Sequence, residues 1–482
     1  MFFLPVVLSP VVVGLIWGWI FERGNGLLNT MLGRAGLGQP GWLVDGGLAM
    51  AVVIFVGLWM HIGFYILIIL AGLQGIDPAY YEAATMDGAT RWQQLRGITL
   101  PLLRPTTMVV VILSLIAGFQ AFDYIWTLTG GGPIGATTLM VQYIYENAFQ
   151  SPIRYGLAAA ASVVLFVTVF ALTLLNFLYG RRRRPREPAP MDPGPGRPRE
   201  PAPMDLGRRR RHPTAGRVLT YAVLIGLTVV VLAPVVWAVL SSFKTQTELA
   251  QRPPAPLPSS LSPVNYTEAL GSFDFGLYLQ NSVIVTVGAT LLTVVVNTMC
   301  AYGLAKYNFR GRDALFLVVL GTIMIPLQLI FIPVYQMAAQ LGLVNSLWGL
   351  IIPPAATPTG VFLLRQYMLG IPDDLIEAAR IDGAGEFRIF ARIVVPLCGA
   401  ALAVVTIFSV MWRWNDFLWP LIISQDQAMY TLPVALAQFN SQLSVPFNYI
   451  LAMSVVSMIP VVVIFLILQR HIVRGIANTG FK

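Results

Sequence analysis

The sequence predicts an all-α polytopic membrane protein with about ten transmembrane helices, four followed by six, arranged as two parallel repeats. Three observations lead there. Hydrophobic residues make up 56% of the 482 and charged residues only 11%, where a soluble chain carries roughly 25% charged residues. Apolar runs long enough to cross a bilayer, which takes about 20 residues, recur along the whole chain. One polar stretch occurs twice: EAATMDGATRWQQLRGITLP from Glu82 to Pro101, and EAARIDGAGEFRIFARIVVP from Glu377 to Pro396. The offset is 377 − 82 = 295, without a gap.

The first four apolar runs lie at about 1–21, 48–73, 106–128 and 157–179. Residues 1–21 are apolar from the start and lack a basic leading region, so no cleavable signal is expected. Residues 181–217 then change character. They hold 12 Arg against Glu187, Asp192, Glu200 and Asp205, or 12 − 4 = +8 of the chain's +9. RPREPAPMD occurs there twice, at 184–192 and 197–205. Pro and Arg with almost nothing apolar to bury predict an extended, disordered linker. Its charge suits a cytoplasmic segment attracted to anionic lipid better than a nucleic-acid-binding arm, and no nucleic acid is expected as a partner. Six more runs follow, at about 218–240, 282–305, 314–336, 347–369, 401–423 and 451–470. Pro326 and Pro333 in one, and Pro353, Pro354 and Pro358 in another, predict kinked helices whose freed carbonyls are satisfied by neighbours.

Charge fixes one orientation. With the Arg-rich linker inside, both copies of the repeated stretch, the loop KYNFRGRD at 306–313, and the tail with Arg470, His471, Arg474 and Lys482 all face the cytoplasm. The repeated stretch is therefore a polar cytoplasmic loop and not a midplane site. Each copy opens on an acidic or proline cap and runs into a short helix. Glu-Ala-Ala gives one charge and two small side chains, which lets a partner approach closely. Asp87-Gly88 and Asp382-Gly383 end the helix, because glycine takes the left-handed conformation cheaply. A second helical stretch leads to Pro101 or Pro396, where the chain re-enters the membrane. A pair of docking surfaces is the functional reading; duplicated solvated connectors are the bland one.

The cysteines, Cys300 and Cys398, stand in separate apolar surroundings and make neither a disulfide framework nor a metal cluster. TGGGP at 129–133 has the glycines of a phosphate loop but not its Lys-Ser/Thr. No HExxH, GxSxG or acidic cluster at metal spacing is present, so an enzyme is disfavoured. Asp123, Trp412, Trp414, Asn415 and Asp416 sit near the outer ends of their spans and read as interface anchors.

The loops carry a family resemblance. EAA, three residues, Gly, nine residues, Ile, one residue, Leu-Pro resembles the cytoplasmic loop of ABC-importer permeases that work with a solute-binding protein. The first copy fits throughout (Glu82, Ala83, Ala84, Gly88, Ile98, Leu100, Pro101), with Asp87 and Ala89 beside the glycine. The second (Glu377, Ala378, Ala379, Asp382, Gly383, Ala384, Pro396) departs with Val395 in place of Leu. GLLN at 26–29 and FQAFDYIWTLTGGGP at 119–133 resemble the first permease of maltose-type and glycerol-phosphate-type importers. NYTEAL at 265–270, LQNS at 279–282, AKYNFRGRD at 305–313, RWNDFLWPL at 413–421, IPVVVIFLILQRHIVRGI at 459–476 and the ending TGFK resemble the second.

The resemblance implies a fused pair: a first permease half at 1–180 without its leading helices, the linker at 181–217, and a complete second half at 218–482. It implies a carbohydrate importer of the bacterial inner membrane, with polyamine or another small solute as the alternative. An ion-coupled secondary transporter is the rival from another class. The implied partners are a cytosolic ABC ATPase dimer and an extracytoplasmic solute-binding protein, with Glu82 and Glu377 pairing with a basic residue on the ATPase. ATP and Mg would be bound by that partner, and no cofactor or metal by this chain. By resemblance, Gly57, His61 and Phe64 on one helix and Ser114, Gly118, Gln120 and Ala121 on the next border the solute path. The bland alternative for His61 is a satisfied packing residue.

Overall fold

The computed structural model describes residues 4–181, 215–251, 255, 257–272, 274–323, 325, 327–440 and 445–479. All its regular elements are helices. In the first repeat, α1 (Pro10–Ile20) opens with proline at its first position, where the missing N–H costs nothing. α2 (Gly46–Gln74) starts where the Asp45 carboxylate accepts the Leu48 N–H at 3.0 Å. α3 (Pro78–Met86) is the short helix of the first repeated loop. α4 (Arg104–Phe119) follows a 63° bend, and α5 (Asp123–Leu128) and α6 (Tyr155–Arg181) come after it, with shorter helices at Leu27–Arg34 and Met140–Phe149 between these elements.

Beyond the linker come α7 (Ala215–Ser241) and α8 (Phe275–Lys306). α9 (Arg312–Ile323), α10 (Leu327–Gln340) and α11 (Pro358–Leu369) follow. α12 (Asp374–Ile381) is the short helix of the second loop. α13 (Gly399–Asn415) follows a 79° bend, and α14 (Leu418–Ile423) and α15 (Phe447–Thr479) end the chain.

The expected ten spans resolve differently. Among the described residues five helices are long and apolar enough to cross a bilayer, or up to eight when each of three bent pairs is one span. α1, with 11 residues, is too short by itself. The run at 347–369 is two helices, Leu347–Ile351 and α11, separated at Pro353 and Pro354. Those prolines have no N–H to give a helix. The break is satisfied by neighbours: Arg413 donates to the Pro354 carbonyl, and the Thr357 N–H reaches the Asn297 side-chain oxygen at 3.1 Å. The run at 401–423 likewise divides into α13 and α14. Residues 182–214 of the linker, and the side chains of Arg470, His471, Arg474 and Lys482, lie outside the described residues.

One apolar core joins the repeats. Val11, Val12 and Trp17 of α1 and Ile125 of α5 share it with Phe417, Ile423 and Leu436 of the second repeat. The Phe122 and Phe417 rings stack with centroids 6.0 Å apart. The Asn415 amide donates to the Val7 carbonyl at 3.0 Å. α1 meets α5 at Gly14, and there the Thr127 hydroxyl donates to the Val11 carbonyl at 3.1 Å. Trp414 is no interface anchor: it is buried, and its indole N–H donates to the Ser457 carbonyl at 3.0 Å. Trp412 is exposed.

Candidate functional site

The repeated stretches fold alike from the helix stop onward, while α3 starts one position ahead of α12 and carries a side-chain cap that α12 lacks. In the first, the Asp77 carboxylate accepts the Ala79 N–H at 2.8 Å and starts α3, with Pro78 at its first position. The helix stops at Gly88, whose φ of +77° no side-chain-bearing residue adopts cheaply; Gly383 matches it at +78°. The closing bonds match too: Ala89 N–H to Ala84 C=O at 2.9 Å and Ala384 N–H to Ala379 C=O at 2.9 Å, a glycine-dependent helix stop. Nothing stands near either glycine, so Gly88→Ala and Gly383→Ala strain only the backbone. Each should cost about 1 kcal/mol, seen as faster hydrogen exchange in α3 or α12.

Beyond each stop a short helix, Arg91–Gln94 or Glu386–Ile389, runs into one π-helical turn, Leu95–Thr99 or Phe390–Val394. Both turns start at positions related by 295. Leu100–Leu102 and Val395–Leu397, holding Pro101 and Pro396, then lead to the bends.

Glu82, Ala83, Asp87 and Gly88 are exposed and Ala84 and Ala89 half-buried; Glu377, Ala378, Asp382, Gly383, Ala379 and Ala384 repeat that pattern. Four further residues complete the surface. Met86 is 89% exposed and Ile381, its counterpart at 86 + 295, is 86% exposed; Trp92 and its counterpart Phe387 are 66% and 79% exposed. Large apolar side chains held in water at matched positions mark an interaction surface. The reading of the sequence passed over them, although the offset of 295 was available to pair them.

The loops differ in how they are held. In the second, the Lys306 ammonium donates to the Ile371 carbonyl at 2.5 Å and pairs with Asp373 at 2.6 Å. The Arg380 Nε and the Tyr307 hydroxyl both donate to Glu386, each at 2.7 Å. Those bonds, Arg380's foremost, hold the Glu386 carboxyl below its ordinary pKa, and the Tyr307 phenol is pushed up by its bond to Glu386. Among the described residues the first loop's side-chain bonds are internal, among them Tyr81 to Thr99 and Thr85 to Gln94, each at 2.9 Å.

Gly57, His61 and Phe64 lie on α2, Ser114 and Gly118 on α4, and Gln120 and Ala121 in the turn before α5. His61 Nδ1 sits 2.9 Å from the Gly57 carbonyl of its own helix, and the Ser114 hydroxyl donates to Val111 C=O at 3.0 Å. The Tyr124 hydroxyl lies 2.8 Å from where a Gly57 Cβ would stand. None of the seven lines either of two cavities among the described residues. One, of about 420 Å³, is bordered by Trp19, Glu22, Asn25, Gln246, Asn440 and Phe447. The other, about 20 Å³, lies among Thr293, Thr357, Ser409 and Trp412. Among the described residues no group of three His, Cys, Asp or Glu side chains is placed to hold a metal ion.

Comparison with known proteins gives these loops a setting. The family described as the binding-protein-dependent transport system inner membrane component matches residues 1–185 and again 297–478. The arabinooligosaccharides transport system permease protein AraQ of Halalkalibacterium halodurans is 35% identical over 277 residues, covering 55% of this chain and 97% of that protein. The diacetylchitobiose uptake system permease protein NgcG of Streptomyces coelicolor is 33% identical over 268 residues, 55% of this chain and 88% of its own. The sn-glycerol-3-phosphate transport system permease protein UgpE of Agrobacterium fabrum is 30% identical over 272 residues, 55% and 96%. A solved structure of a bacterial ABC transporter involved in the import of the acidic polysaccharide alginate shares the fold. Its TM-score is 0.50 at 23% identity, over 54% of this chain and 98% of that one. The chain therefore belongs to the binding-protein-dependent transport system inner membrane component family, whose unit it carries twice as a fused pair of ABC-importer permease subunits.

Proposed function

We propose that the chain is the membrane-spanning permease of an ATP-binding-cassette importer for a carbohydrate, driven through its two matched loops by a separate cytosolic ATPase dimer. The single observation that supports this most is the loop pair. Two copies of one helix, turn and exposed apolar tip, at a constant offset of 295, suit two identical grooves on a partner. Glu82 and Glu377 are exposed beside those tips and would pair with basic groups of the ATPase, which binds the ATP and Mg. The chain itself catalyses nothing in this scheme.

An extracytoplasmic solute-binding protein would dock at the end of the bundle opposite the loops. The linker at 181–217 and the C-terminus would be cytoplasmic with the loops. A carbohydrate is favoured because two of the relatives named above are permeases for arabinooligosaccharides and diacetylchitobiose. Gly57, His61, Phe64, Ser114, Gly118, Gln120 and Ala121 are the proposed border of its path.

Co-purification tests the reading. The chain is expressed with a candidate cytosolic ATPase, and Glu82→Ala and Glu377→Ala are made singly and together. Retention of the ATPase by wild type and its loss or uncoupling in the double variant is the expected result. Transport and association indifferent to both changes would leave the loops as connectors and favour an ion-coupled transporter.

A further inference from the structure

The second loop is fastened to one helix at both of its ends. At its start, Lys306, the last residue of α8, holds the Ile371 carbonyl and the Asp373 carboxylate; the Lys306 side chain is 4% exposed and that of Asp373 75%. Past the glycine stop, Tyr307, the next residue, holds Glu386, which Arg380 of α12 also grips. Between these points Ala301, Tyr302 and Ala305 of α8 pack in one core with Ile371, Ile376, Ile389 and Val394 of the loop. The Tyr302 ring lies 5.2 Å from that of Phe390.

α8 does not stop at the loop. It has 32 residues, or about 48 Å of helix, and is bonded along its length. Asn297 donates to the Thr357 hydroxyl at 2.6 Å ahead of α11, and Thr290 bonds Ser409 of α13 at 3.0 Å. At the far end the Asn281 amide donates to the Ala428 and Tyr430 carbonyls at 2.9 and 3.0 Å, and the Ser282 hydroxyl accepts the Leu432 N–H at 2.8 Å.

Among the described residues the first loop shows no matching bonds. α3 buries no residue whereas α12 buries Ile376. α4 buries none whereas α13 buries Val405, Ile407, Ser409, Met411 and Trp414. Among the described residues no cation holds the Ile76 carbonyl as Lys306 holds that of Ile371.

We propose that Lys306 and Tyr307 are positioning residues that clamp the second loop to α8, and that α8 is the rod carrying that loop's movement to the segment at 424–432 at the far end of the bundle. A stiff helix bonded at both ends is a contiguous physical route between two surfaces. Lys306 acts by charge and hydrogen bonds at the start of α12, Tyr307 by its hydroxyl beyond it. The proposal rests on the reading of the loops as ATPase-docking surfaces.

Two measurements test it. Hydrogen exchange on the full chain alone, in lipid nanodiscs, needs no partner. Lys306→Met should speed exchange of the α12 amides about tenfold and leave α3 unchanged; Tyr307→Phe, which removes only a hydroxyl, should do the same more weakly. Unchanged α12 exchange in both would overturn the clamp. With the co-purifying ATPase reconstituted, the same variants should retain the ATPase and its hydrolysis while uptake per ATP falls about tenfold, and Lys306→Arg should restore it. Wild-type uptake per ATP in the Met and Phe variants would overturn the rod. Failure of the docking reading looks different: the ATPase would not co-purify even with wild type, and the exchange measurement would still decide the clamp.

Discussion

Met86→Asp combined with Ile381→Asp is expected to abolish capture of the ATPase while leaving the chain folded. Each side chain stands almost free of its own protein, 89% and 86% exposed, so its loss removes no internal packing. A buried apolar anchor at an interface is worth about 2 kcal/mol or more. Two anchors replaced by charges that would have to be desolvated should weaken association by about 4 kcal/mol, roughly a thousandfold. A direct affinity measurement on detergent-solubilised protein reads the loss, and an unchanged melting temperature shows that the chain itself is intact. Wild-type affinity in the double variant would remove the loop tips from the interface.

The largest effect on folding is expected from Gly14→Leu. A Cβ there would stand 2.0 Å from the Thr127 hydroxyl oxygen and 2.6 Å from the Tyr124 carbonyl. The hydroxyl could rotate away, but the carbonyl belongs to the α5 backbone and cannot. α1 would be driven off α5, breaking the Thr127 bond to the Val11 carbonyl and opening the core that the two repeats share. Overpacking of this kind costs about 3 kcal/mol, a large part of a domain's stability. One turn further along, Gly18 has only the Leu128 Cδ1 at 3.7 Å, so Gly18→Ala should be neutral. Monodisperse yield of the two variants on size exclusion separates them; equal yields would mean that α1 can move.

The contrast between those glycines could not be read in the sequence, because both sit in one apolar run. Other features could. Asp77, Pro78 and Gly88 announce their helix by local chemistry, and the helix spans Pro78–Met86. The all-helical bundle followed from composition and apolar run length. The number of spans did not, because hydropathy does not register a break inside an apolar run. Residues 347–369 look continuous, yet Pro353 and Pro354 interrupt them, and the break persists through Asn297 and Arg413, each about 60 residues away in the chain. The π turns are hidden for a similar reason. Each lies just before a proline that cannot donate to the preceding turn, and no side-chain pattern marks the wider winding. Lys306 and Asp373 are 67 residues apart, and nothing in either segment names the other. Met86 and Ile381 went unread because apolar residues in a short helix ordinarily face inward.

Among the described residues the loops thus share an outline but not a mounting. A two-fold partner with one kind of groove would meet the same outline twice. A push on the second loop would be felt along α8 as far as 424–432, so that a change at one surface becomes a change at the other.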